Sequence, residues 1–214
     1  MHFTLLSGIR QRYAKVMNEN EHDWSELIEL MEGAKRGLSF AEGLSDAEVH
    51  RDEENYGFQF PPDLRAFLQT ALPLGSPPFP DWRLADDPYI REALSLPLHG
   101  ILFDVEHGIW LPEWGQRPKL MEEAKALAEE HVKKAPRLIP IYGHRMMPDR
   151  PHLTGNPILS IHQTDIIYYG FDLDDYLRHE FGLLSRKPWP AKVRSIEFWD
   201  VDRWQEVRWK KDVE

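Results

Sequence analysis

The stretch Tyr56-Gly57-Phe58-Gln59-Phe60-Pro61-Pro62-Asp63-Leu64-Arg65-Ala66-Phe67-Leu68 constrains the fold of this chain more than any other. Gly57 permits a backbone turn that side chains resist. Pro61 and Pro62 stand where a helix begins, because a first-turn residue needs no donor N–H. Behind them Leu64, Phe67, Leu68, Ala71 and Leu72 recur at i, i+3, i+4, i+7 and i+8, one apolar stripe of an amphipathic helix that stops by Pro73 and Gly75. Nothing in the segment carries chemistry. It is a scaffold signal, informative about fold and silent about activity.

Helical spacing of Leu6, Ile9, Tyr13, Val16 and Met17 predicts a helix over 4–18. Asp23, with Glu26 three residues on, predicts a capped second helix whose inner face is Trp24, Leu27, Ile28, Met31 and Leu38 and whose end is Gly33 or Gly37. Ser45 and Glu48 form a second capping box opening an acidic helix over 46–54. Residues 73–88 carry prolines at 73, 77, 78, 80 and 88 and read as a loop anchored by Leu74, Phe79 and Trp82. Asp86-Asp87-Pro88 starts a short helix through Leu94. Residues 100–105 read as a strand that 108–111 continues or returns, and 117–134 as a surface helix lined by Leu120, Ala124, Leu127 and Ala128. Leu138 to Tyr142 reads as an edge strand, since Pro140 cannot donate to a ladder. Two β-rich runs, 157–162 and 165–169, flank Gln163-Thr164 as a hairpin; that pair is not a favoured turn, so a loop wider than two residues is expected. Asp172 caps a helix carrying Leu173, Tyr176, Leu177 and Phe181 inward, and the apolar tail from Ile196 to Trp209 packs back on the body. Helices flanking a mainly antiparallel sheet make this an α+β protein. Residues 1–40 are expected to supply N-terminal helices packed on a single α+β domain over 41–214.

The 214 residues include no cysteine, which excludes disulfides, thiolate catalysis and cysteine-ligated zinc. A net charge of −10 argues against a nucleic-acid partner, because neutralising phosphates requires clustered Lys and Arg. It suits a partner with a basic face, and it also simply keeps a protein dissolved. No apolar run approaches the ~18 residues of a membrane span, and the first ten residues lack the basic start and apolar core of a signal peptide. The expectation is a cytoplasmic protein without membrane contact.

Candidate chemistry is sparse. His144, His152 and His162 with Asp149 and Asp165 offer metal-ligand types, but no H-E-x-x-H or H-x-H spacing supports them, so no metal or cofactor is expected. Ser160 lies in a strand without a G-x-S-x-G elbow. The paired carboxylates sit at helix starts or on charged faces, where capping and solvation explain them. The most suggestive constellation is Trp110, Trp114, Arg117, Tyr142, His144 and Arg145, since aromatics and arginine anchor binding patches. Core packing is the expected role of at least one of the tryptophans. Arg145 needs acceptors if buried, with Asp104 or Glu106 the expected holders. A second candidate surface is acidic: Glu42, Asp46, Glu48, Asp52, Glu53 and Glu54 cluster before the signature and could steer a basic partner or form an ordinary solvated helix face.

Three separated segments resemble the SUKH superfamily, which includes yeast cell-wall-assembly regulators and many bacterial immunity proteins. They are Gly57 to Leu68; Leu138-Ile139-Pro140-Ile141 with Gly155-Asn156-Pro157-Ile158-Leu159-Ser160; and Asp174-Asp175-Tyr176-Leu177 with Glu180-Phe181. Together they span about 42–184. The chain departs from the family pattern at Leu72-Pro73-Leu74-Gly75, where Asn-Gly is common, and in a larger middle insert carrying Trp110, Trp114 and the 117–134 helix. The resemblance implies a non-enzymatic protein-binding domain, an immunity protein that neutralises a toxin by docking, nuclease toxins with basic surfaces among the targets. The competing expectation is a small-ligand or metal-binding protein or enzyme using Trp110, Trp114, Arg117, His144 and Arg145 as a pocket; a third is a regulatory interaction module.

Overall fold

A computed structural model describes residues 23–34, 38–74, 79–184 and 187–213; the helix expected over 4–18 and the stop at Gly37 lie outside them. The elements in chain order are α1 (Trp24–Glu32), β1 (Ser39–Glu42), α2 (Asp46–Tyr56), α3 (Pro62–Thr70), β2 (Ala71–Leu74), α4 (Pro88–Glu106), a 3-10 turn (Pro112–Trp114), α5 (Met121–Lys134), β3 (Leu138–Tyr142), β4 (Arg145–Pro148), β5 (Ile158–His162), β6 (Asp165–Gly170), α6 (Leu173–Glu180) and α7 (Val201–Val213). The protein is α+β. β1 and β2 form an antiparallel pair, and β3-β4-β5-β6 form an antiparallel meander with β3 at its edge.

Alternation along the meander sends side chains to both faces, and both are covered. Ile139, Ile141, Met147 and Ile158 face a cluster built by α1, α2, α3 and α6, with Phe60, Phe67 and Tyr176 fully buried. Leu138, Met146, Leu159, Ile161 and Ile166 face a second cluster built by the C-terminal half of α4, α5 and α7, with Trp114, Trp199 and Trp204. The three segments that carry the family resemblance all deliver apolar side chains to the first cluster.

Local signals explain the first face. The Ser45 hydroxyl accepts the Glu48 N–H while Glu48 accepts the Ser45 N–H at 2.8 Å, closing the capping box of α2. Gly57 ends that helix at φ 70°, a left-handed conformation that a side chain would strain. Pro62 opens α3. Asp63 is buried and accepts the Leu64 and Gly155 N–H groups, the latter at 2.8 Å, so the signature pins the loop before β5. Asp172 caps α6 by accepting the Asp175 N–H.

Several expectations need correction. Ala71 and Leu72 leave the helix and enter β2, which pairs with β1, and Leu38 lies beyond α1. Leu74 is exposed, while Phe79 and Trp82 anchor the described part of the proline-rich loop. The expected short helix does not end at Leu94: α4 runs through Pro97 to Glu106, and residues 100–105 are helical rather than a strand. Short apolar runs do not separate buried helix from strand. Here Ile90, Ala93, Pro97, Ile101 and Val105 make one buried stripe. Residues 109–111 form no strand, and Leu120 is exposed ahead of α5. The hairpin loop is only two residues wide, with His162 opposite Asp165 and Gln163 at φ 59°. The buried Asp104 carboxylate holds it, accepting the Thr164 N–H at 2.9 Å and its hydroxyl at 2.5 Å. Gly100 permits the approach, since a Cβ there would lie 2.7 Å from the Gln163 Cα.

Candidate functional site

The sequence-predicted constellation divides between the two faces. Trp114 is buried in the second cluster, stacked on His131 (5.4 Å) and Phe198 (6.3 Å) and edge-on to Trp204 (6.2 Å). Trp110 donates its indole N–H to the Gly115 carbonyl at 2.8 Å and meets Trp114 edge-on. Arg117 donates to the Val105 carbonyl at 2.6 Å, joining the Gly108 N–H on that acceptor near the end of α4. These three side chains hold the 3-10 turn against α4 and α5.

Tyr142, His144 and Arg145 stay together on the first-cluster side, around the β3–β4 turn. Tyr142 packs on Phe79 (4.6 Å) and Phe181 (5.7 Å). Arg145 lies opposite Ser160 in the β4–β5 register and donates to its hydroxyl at 2.7 Å. Its guanidinium sits 3.6 Å over the Tyr169 ring and contacts the exposed His144 imidazole. The β5–β6 register shifts between Ile158 and Leu159, leaving Tyr169 as the extra residue of a bulge, a device that re-aims a side chain. Arg145 Nε stands 3.9 Å from a Glu180 carboxylate oxygen at the end of α6. Neither expected holder is used: Asp104 binds Thr164, and Glu106 pairs with Lys125 at 2.5 Å. Partial desolvation of the His144 ring, then the Arg145 and His162 charges, hold its pKa below the ordinary imidazole value, favouring the neutral form. Burial pushes the Tyr176 hydroxyl well up, so it stays a neutral phenol beneath the patch.

Sequence reading missed Ser160, Tyr169 and Glu180 as members of this patch. Strand alternation places Tyr169 on the face of Ile167 and Ser160, but only the β4 pairing reveals that Arg145 shares it.

The acidic surface is largely committed to structure. Asp46 accepts from Arg65 (2.9 Å) and Gln69 (2.8 Å), and Glu48 pairs with Arg83 at 3.2 Å. Glu53 accepts the Phe60 N–H at 3.0 Å. Asp52 is buried and accepts from Arg51 Nε at 2.9 Å. Its second oxygen has no hydrogen-bond partner among the described residues, and burial pushes its pKa up to about 6. Glu54 is exposed. Among the described residues no three His, Asp or Glu side chains converge as metal ligands, and no helix is long and apolar enough to cross a membrane. Against family models, curated proteins and solved structures, the chain finds no match.

Proposed function

We propose that this protein is a non-enzymatic binding module that acts by docking, as an immunity protein covering a toxin domain, with its contact surface centred on Arg145. The observation that carries the reading is the Arg145 guanidinium, fixed over Tyr169 by stacking and by the Ser160 hydroxyl beside the exposed His144. A pre-positioned arginine loses little side-chain entropy on contact, and arginine and tyrosine are the usual anchors of protein interfaces. The net charge of −10 supports long-range attraction of a basic domain, which raises association rate more than affinity. The short-range contacts then come from the Tyr142–His144–Arg145 edge rather than from α2, whose acids are mostly engaged with Arg51, Arg65 and Arg83.

A catalytic or ligand pocket built from Trp110, Trp114, Arg117, His144 and Arg145 loses its geometric basis, because those residues belong to opposite faces of the sheet. Co-expression with a toxin domain encoded beside the gene tests the docking reading. The expected result is survival of the cells and a stable complex on gel filtration; turnover of a substrate that disappears in His144→Ala or Arg145→Ala with the fold intact overturns it.

A further inference from the structure

A groove of about 440 Å³ lies between α4, the end of α5 and the start of β3, on the face of the sheet away from Arg145. That volume is within the few-hundred-Å³ range of small-molecule sites. Pro97, Leu98, Val132 and Trp199 give it an apolar lining. The Trp199 indole N–H is already donated to the Pro136 carbonyl at 2.7 Å, so the tryptophan offers ring surface rather than a free donor. The charged residues among the lining are both cations, Lys133 and Arg137, and no acid joins them.

Neither cation is locked to a buried carboxylate. Lys133 pairs with Glu129 at 2.7 Å, both side chains exposed, an arrangement of little net worth that an arriving anion can replace. The Arg137 side chain donates to the Tyr56 carbonyl at 2.9 Å, while Asp149 accepts the Arg137 backbone N–H at 2.8 Å. An apolar trough with a positive rim on a protein of net charge −10 is matched by a molecule with an apolar body and one negative head.

We infer that this groove binds a small amphipathic anion, its hydrocarbon part against Leu98, Val132 and Trp199 and its carboxylate or sulfonate head at Lys133 and Arg137. The site stands apart from the docking surface and does not depend on it. Titration calorimetry of the full chain with dodecanoate, below its micelle concentration and with dodecylamine as the head-group control, tests it. The expected result is saturable one-to-one binding of the acid, weakened at least about tenfold by Leu98→Trp, which fills the groove, and by the surface variant Lys133→Glu. Arg145→Ala leaves it unchanged. Melting by circular dichroism checks each variant's fold, and Lys133→Glu serves if Leu98→Trp does not fold. Absence of saturation, indifference to both variants, or equal binding of the amine overturns the inference. Loss of toxin binding in folded Leu98→Trp without any dodecanoate binding also overturns it, making the groove part of a protein interface while docking itself stands.

Discussion

The two faces of the β3-β4-β5-β6 sheet differ in how their loops are fixed. The first is fastened by polar pins between distant segments: Asp63 to the Gly155 N–H, Arg137 to the Tyr56 carbonyl, and His152 Nε2 against the Phe60 carbonyl. Both faces are packed with aromatics, Trp24, Phe58, Phe60, Phe67 and Trp82 on the first and Trp114, Phe198, Trp199 and Trp204 on the second, where Asp104 and the Trp199 indole N–H supply buried polar links. Directional pins fix where loops and turns stand, and the first face carries the candidate docking edge. Aromatic packing supplies bulk burial on both faces, and the second carries the groove.

The largest expected effect comes from emptying either core. Phe67→Ala on the first face and Trp204→Ala on the second each remove a fully buried ring and are expected to cost about 3–5 kcal/mol. Denaturant unfolding followed by circular dichroism is expected to show one shifted transition in both variants, since the clusters share a sheet and α4 reaches from Ile90 in one to Ile101 in the other. A second, earlier transition in Trp204→Ala alone would break the picture and make the second face a separate unit. Next, Asp104→Ala strands the Thr164 N–H and hydroxyl, an expected loss of about 2–3 kcal/mol with hydrogen exchange rising at the β5–β6 loop.

A pH measurement sharpens the contrast from the first face. Folded Asp52 keeps its proton to about pH 6, while its ordinary value is 3.8. Between those limits the native state binds more protons than the unfolded chain, so stability falls as pH rises across the window, by an amount on the order of 2 kcal/mol. Asp52→Asn should flatten melting temperature against pH from 4 to 6; an unchanged slope would place that titration elsewhere. The smallest effect is the α2 cap: Ser45→Ala should cost about 1 kcal/mol, read as a small shift of the same transition.

Legibility in the sequence follows the same division. The α2 capping box, the Pro62 start of α3, the Gly57 turn and the Asp172 cap are written in residues a few positions apart, so the sequence alone places them. α4 is not legible as one helix although its buried stripe from Ile90 to Val105 is helical, because Pro97 and Gly100 interrupt the pattern with the residues that usually end a helix. Gly100 is required there by the Gln163 backbone, a contact 63 positions away that no local window contains. β4 carries no local strand signal because Arg145-Met146-Met147-Pro148 has no β-branched residue; pairing with β3 and β5 makes it a strand. Half of the candidate site, Tyr142, His144 and Arg145, was therefore legible as residue types, while Ser160, Tyr169 and Glu180 join it only through that pairing and the bulge.

The docking account rests most directly on the affinity of a purified toxin partner for wild type and for Arg145→Ala. Loss of a fixed anchor at the centre of the contact should weaken binding by at least about 30-fold, with the Trp110→Ala affinity near that of wild type. Equal affinity of the wild type and a folded Arg145→Ala variant would contradict it.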